Sequence, residues 1–217
     1  MYFEYNDKEI QYLKEKDKKL GAVINQIGHI YREVDDRLYT SLIHHIIGQQ
    51  ISTKAHMTVW KRMLEKYHQV TPQTLKSVTR DELQQLGMTF RKADYILDLT
   101  AKVNNGEIDL ENLDNQTDEN IMKILSSLNG IGEWTVEMIM IFCMQRPHVF
   151  SYGDMAIHRG LRMIYHHRCI SKKQFEIYRH RFHPYESIAS LYIWAVAGGA
   201  IEGMKDYALL KKKVRRK

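Results

Sequence analysis

This sequence predicts an all-α fold, on three observations. Apolar residues recur at three- and four-residue spacing along most of the 217 residues, as the buried stripe of a helix requires. No run of strict alternation bounded by turn residues is present, so no sheet of consequence is expected. Only three prolines interrupt the chain, and the links between periodic stretches are short, which favours closely packed helices.

Leu42, Ile43, Ile46 and Ile47 make the first strong stripe, and Ala55, Val59, Met63 and Leu64 the next. Gly48 relaxes the chain between them, and Ser52 is placed to N-cap the second helix. Thr71-Pro72 reads as an N-cap followed by proline at the first helical position, where the missing N–H would have had no partner. Thr117 with Asn120 marks a start ahead of Ile121, Ile124, Leu125 and Leu128. A further helix begins near Glu133 and runs through Trp134, Met138, Ile141, Phe142 and Gln145. Another begins near Asp154, with Ile157, Leu161 and Ile164 on its buried side. His183-Pro184 opens the last long helix.

Hydrophobic residues make up 44 % of the chain and charged residues 27 %, the balance of a soluble globular protein. No apolar stretch approaches the roughly 20 residues that span a bilayer, so no membrane partner is expected. The opening MYFEYNDKEI lacks the basic-then-apolar layout of a signal peptide, which predicts a cytoplasmic protein. Cys143 and Cys169 are far apart and form no metal-ligand spacing. Two cysteines cannot hold a four-cysteine iron–sulfur cluster, and both read as buried or idle thiols.

The net charge of +6 has a specific location. The tail 211–217, KKKVRRK, carries six positive charges, so residues 1–210 are formally balanced. Within them, His158 to His183 contains Arg159, Arg162, Arg168, Lys172, Lys173, Arg179 and Arg181, with Glu176 as the only acid. Such a local excess suits a phosphate-facing surface, although a solvated helical face looks the same in sequence.

The most specific segment is Leu128-Asn129-Gly130-Ile131-Gly132-Glu133-Trp134-Thr135. Two glycines one residue apart allow a tight reversal between helices, or a close approach of backbone to another molecule. The first N–H groups of the second helix point outward without intrahelical partners and form a ready anion site. Alone, a glycine pair between helices is an ordinary αα-turn, and Asp154, about twenty residues on, is an ordinary N-cap. Their combination is more distinctive.

With this hairpin and this aspartate, the sequence resembles the helix-hairpin-helix-GPD superfamily of DNA glycosylases, and within it the 3-methyladenine DNA glycosylase II family. Ile46-Ile47-Gly48-Gln49-Gln50-Ile51-Ser52 is similar to that family's IxxQQIS motif. Leu86-Gly87-Met88-Thr89-Phe90-Arg91-Lys92-Ala93 is similar to its LG[ML]SxxKA segment. The likeness covers roughly residues 39–199, with four motifs in order. Two departures are visible: Gly153 replaces the first of two adjacent aspartates found in many alkylpurine members, and Ser151-Tyr152 occupies the place where a proline is frequent.

The resemblance implies two helical lobes with an active-site cleft between them. Residues 39–155 would form the central lobe, with the hairpin at about 121–145. Residues 1–38 plus 156–217 would form the second, ending in the basic tail. It implies a monofunctional glycosylase of alkylated purines acting on double-stranded DNA, as a monomer. Asp154 would be the catalytic carboxylate. Trp134, Tyr152, Trp194 and Met138 would line the base pocket, and Trp60 would be core. Trp134 occupies the position of the lysine nucleophile in members that also cleave the backbone, and an indole cannot form a Schiff base. Gly130, Ile131, Gly132, Gln49, Gln50, Lys92 and Arg159 would meet DNA, with Gln50 a candidate wedge. No cofactor is required; the carbonyls of Ser126, Leu128 and Ile131 would hold a monovalent cation, Na+ or K+. Two alternatives stay open: a relative acting on deaminated bases, and a helix-hairpin-helix DNA-binding protein without chemistry.

Overall fold

The structure is a computed structural model that describes residues 1–208; the basic run 211–217 lies outside the described residues. In chain order the helices are α1 (Asp7–Lys16), α2 (Lys18–Ile27), α3 (Leu38–Gly48), α4 (Thr53–Tyr67), α5 (Pro72–Leu75), α6 (Arg80–Gln84) and α7 (Phe90–Asn104). They continue with α8 (Asp118–Ser126), α9 (Glu133–Phe142), α10 (Met155–Tyr165), α11 (Lys172–Phe182) and α12 (Glu186–Ala197). Among the described residues the β pairing is one isolated antiparallel bridge, Tyr2 with Glu33. The fold is all-α. None of these helices is long and apolar enough to cross a membrane.

Several helix starts follow directly from the sequence. Ser52 accepts the Ala55 N–H, Thr71 the Thr74 N–H and Thr117 the Asn120 N–H. Each satisfies a donor that the helix cannot, and such caps are worth about 1 kcal/mol. Other boundaries move. α3 runs through Gly48 instead of loosening there, and the His56 ring packs into the space that a side chain at Gly48 would need. α8 stops at Ser126, short of Leu128. α9 stops at Phe142, and Gln145 takes φ 51°, which is not helical. Pro184 precedes the last helix, whose first residue is Glu186.

The chain divides into two compact units: Asp35–Met144, and Met1–Val34 together with residues 145–208. The first boundary falls near the expected one. The second corrects the expected 155/156, because the segment ahead of α10 is bound to α12. The Ser187 N–H donates to Pro147 O, the Val149 N–H to Ser187 Oγ, and Phe150 stacks on Phe175. Asp154 therefore goes with the terminal segments.

In the central unit, Leu42, Ile43, Ile46 and Ile47 of α3 are fully buried, and α3 packs on α4, α7 and α9. Of the α4 stripe, Val59 and Met63 are buried, while Ala55 and Leu64 are exposed and Trp60 is half-buried. The His44 ring packs edge-on against Trp60 and 4.1 Å from the His56 ring centroid. Burial, with the neighbouring His56 and His45, pushes its pKa from 6.5 down to about 4. Cys143 is buried, which pushes its thiol up to about 12, whereas Cys169 is exposed.

In the terminal unit, α2, α10, α11 and α12 pack around Ile157, Leu161, Phe182 and Ile193. The first residues thus do pack against the C-terminal helices. α10 crosses α12 so closely at Gly160 that any Cβ there would overlap the Ile193 carbonyl.

Two outcomes follow. Gly160→Ala should lower stability by about 1–3 kcal/mol in urea denaturation, because α10 and α12 must separate to admit a methyl group. His44 stays neutral in the fold and binds a proton more readily when unfolded. Stability should therefore hold above pH 6.5 and fall as pH descends toward 4. His44→Gln should flatten that fall in denaturation curves measured at several pH values.

Candidate active site

The hairpin turn in the central unit joins α8 to α9 through Ser127–Gly132. Gly130 has φ 82°, and an added Cβ would run into the Tyr95 ring. Only glycine meets both conditions. Gly132 is the N-cap of α9 and provides no side-chain cap, and a Cβ there would meet nothing within 4 Å. The first N–H groups of α9 thus begin at an open surface, with the positive end of the helix dipole behind them.

The turn is held by α7 and by the end of α3. Gln49 Nε2 donates to Gly130 O at 2.6 Å. Asn129 Nδ2 donates to Asp98 Oδ2 at 3.0 Å, and Lys102 pairs with the same oxygen at 2.8 Å. Lys92 Nζ donates to Ile47 O at 2.7 Å and to Gln49 O at 2.6 Å, and burial pushes its pKa below the ordinary lysine value. Lys92, Tyr95, Asp98 and Lys102 recur at three- and four-residue spacing, so one face of α7 serves the whole turn. Gln49 and Lys92, expected to reach DNA, are half-buried and spend one of two and two of three side-chain N–H groups on main-chain carbonyls. Gln50 is exposed with φ 56° at the turn between α3 and α4.

Trp134, in the first turn of α9, is 45 % exposed, whereas Met138, one turn on, is 4 % exposed. Met138 is thus a core residue of this unit, and Trp134 presents an aromatic surface. Ile131 is buried beside the turn, and its N–H donates to Leu128 O at 3.1 Å. A carbonyl oxygen has two lone pairs, so that bond leaves Leu128 O able to accept a second partner. Ser126 is the last residue of α8.

In the terminal unit, Asp154 is the N-cap of α10. Its Oδ1 accepts the Ala156 N–H at 2.7 Å and the Ile157 N–H at 3.0 Å. The residue is only 7 % exposed, so its carboxylate is fixed in direction. Preceding it, Tyr152 is exposed and packs edge-on against His158 and Phe175. His158 Nε2 bonds the Tyr152 carbonyl at 2.7 Å and the His158 ring stacks on Phe175, a support that sequence reading missed. Gly153 has open space around it, so the missing second acid was not excluded by crowding. Trp194 is half-buried on α12, and Arg159 is exposed on α10.

The basic stretch is less basic than its sequence. Arg162 makes a two-pronged pair with Asp206 at 2.7 and 2.6 Å. Arg181 meets the buried Asp17 at 2.6 Å, and Arg179 lies 3.8 Å from Glu176. Asp17 and Asp206 are distant in sequence, so a local charge count could not include them.

Lys92→Met should cost about 1–3 kcal/mol of stability in urea denaturation, because two carbonyls lose their donor. An unchanged stability would return Lys92 to the role of a phosphate contact.

The family described as HhH-GPD superfamily base excision DNA repair protein matches residues 43–184. A Bacillus subtilis protein provisionally named a DNA-3-methyladenine glycosylase is 27 % identical over 186 residues, covering 81 % of this chain; the chain spans only 64 % of that relative. DNA-3-methyladenine glycosylase 1 of Schizosaccharomyces pombe is 26 % identical over 161 residues, covering 72 % of this chain and 71 % of the relative. The crystal structure of a DNA-3-methyladenine glycosidase from Bacillus halodurans superposes with a TM-score of 0.84 at 29 % identity, covering 94 % of this chain and 95 % of that one.

Proposed function

The chain belongs to the HhH-GPD superfamily of base excision DNA repair proteins, and on that premise we propose that it is a DNA glycosylase hydrolysing the N-glycosidic bond of alkylated purines. The observation that carries the reading is Asp154, a buried carboxylate aimed by two main-chain N–H groups at the start of α10. The names of the relatives support the substrate class.

Alkylation at N3 or N7 places formal positive charge on a purine and makes it a good leaving group. The target nucleotide must first leave the duplex stack, at a cost of a few kcal/mol. Aromatic faces attract such a cation by about 0.5–2 kcal/mol; the exposed Trp134 and Tyr152 and the half-buried Trp194 are the residues assigned to this. As the glycosidic bond lengthens, positive charge gathers on the sugar. The Asp154 carboxylate stabilises that charge and orients the attacking water. Trp134 at the position of a Schiff-base lysine supports hydrolysis without backbone cleavage.

DNA is held through the hairpin. The open α9 N-terminus at Gly132 takes a phosphate, which positions a duplex without reading its sequence. The carbonyls of Ser126, Leu128 and Ile131 are assigned a Na+ or K+ ion, which would add positive charge behind that phosphate. Gln50 and Arg159, both exposed, remain the side chains assigned to DNA, and the enzyme is taken to act as a monomer.

Asp154→Asn keeps an oxygen for the N-cap while removing the charge. It should cut release of 7-methylguanine and 3-methyladenine from methylated duplex by about 100-fold or more. Binding to the same duplex should be equal or tighter. Normal turnover by this variant would overturn the role of Asp154, and release confined to uracil or hypoxanthine would overturn the substrate class.

A further inference from the structure

Within the terminal unit, three potential ligands converge from separate segments. His148 lies in the stretch ahead of α10, His183 just after α11, and Glu186 in the first turn of α12. Their ligand atoms all lie within 4.8 Å of one another. We propose that His148, His183 and Glu186 bind a divalent transition metal of the zinc class, which ties the segment leading to Asp154 to the start of α12.

The carboxylate is the first reason. Glu186 is 3 % exposed, yet its Oε2 is buried without a hydrogen-bond partner. Oε1 lies 3.1 Å from His183 Nδ1, and Oε2 lies 3.6 Å from His148 Nδ1. Metal–ligand bonds of about 2.0–2.1 Å at tetrahedral angles put neighbouring ligand atoms about 3.3 Å apart. The two observed separations straddle that spacing but run to different oxygens of the carboxylate, and the three ligand atoms lie within 4.8 Å of one another, so rotation of the two exposed imidazoles must draw them onto one ion.

The donor set is the second reason. Two neutral imidazoles and a carboxylate suit zinc and its neighbours, whereas calcium and magnesium demand more oxygen ligands. Both histidines are exposed, so an ion can reach the site and water can complete its coordination.

The third reason is rigidity around the ligands. The His183 N–H donates to Arg179 O, and Tyr12 Oη donates to His183 O at 2.6 Å. Both residues flanking His148 are bonded to Ser187: Pro147 O accepts its N–H, and the Val149 N–H donates to its Oγ at 3.1 Å. These bonds fix the backbone on either side of His148 and at His183.

The test uses the full chain stripped of metal by a chelator. Zn2+ is titrated by calorimetry and Co2+ by visible absorption, which reports coordination number. One equivalent of each should bind saturably, with a low-coordinate cobalt spectrum. His148→Ala and His183→Ala should each weaken binding by about tenfold or more, while His44→Gln leaves it unchanged. Zinc should raise the Tm of the parent protein but not of the double variant His148→Ala/His183→Ala. His148 is exposed, so His148→Ala alone decides the matter if the double variant fails to fold. Absence of saturable binding, which would leave only imidazole–carboxylate ion pairs, overturns the proposal. Binding that survives His148→Ala undiminished also overturns it.

Discussion

Close approach of α7 to the Gly130 backbone is the constraint on which the hairpin depends. The Tyr95 ring fills the space where any side chain would stand, and φ at this position is one that only glycine takes without strain. The turn is therefore pressed onto α7, and its carbonyl can reach Gln49. Gln49 in turn is fixed through its own carbonyl by Lys92. A helix start proposed to bind phosphate is useful only if its N–H groups are held still, because a mobile turn would lose in ordering entropy what the contact gains. Here Tyr95, Gln49 and Lys92 supply that order from within the protein.

The terminal unit solves a parallel problem for a carboxylate. Burial alone would leave an aspartate with unmet hydrogen bonds. As the N-cap of α10 it instead receives two N–H groups that the helix cannot use. One feature thus ends a helix and aims a charge. The same helix is pinned along its length by the Gly160 contact with α12. The start of α12 also carries Glu186, so the carboxylate turn and the proposed metal ligands share one framework.

Charge illustrates how far local reading misleads. The stretch 158–183 has seven cationic side chains and one acid, yet Arg162 and Arg181 are matched by Asp206 and Asp17, far off in the chain. Asp17 caps α2 while it holds Arg181, a double use typical of buried acids, which need several partners. Any electrostatic attraction for DNA from this region must come from what remains, chiefly Arg159, Arg168, Lys172 and Lys173.

The helical class, the starts of α4, α5, α8, α9 and α10, the glycine hairpin and the cap at Asp154 could be read from the sequence alone. Each rests on local physics: period 3.6, an oxygen side chain that caps a helix, a positive φ. What only the tertiary structure decided is which polar groups meet. Gln49 and Lys92 are typical DNA-facing residue types, yet both are half-buried and donate to the Gly130, Ile47 and Gln49 carbonyls. Met138 differs from Trp134 by one helical turn, and packing buried one and exposed the other. His148, His183 and Glu186 span 39 positions in a pattern with no recognisable spacing. Side-chain partners are chosen by the path of the whole chain, and that path is set by the summed burial of many apolar residues, which no short motif contains.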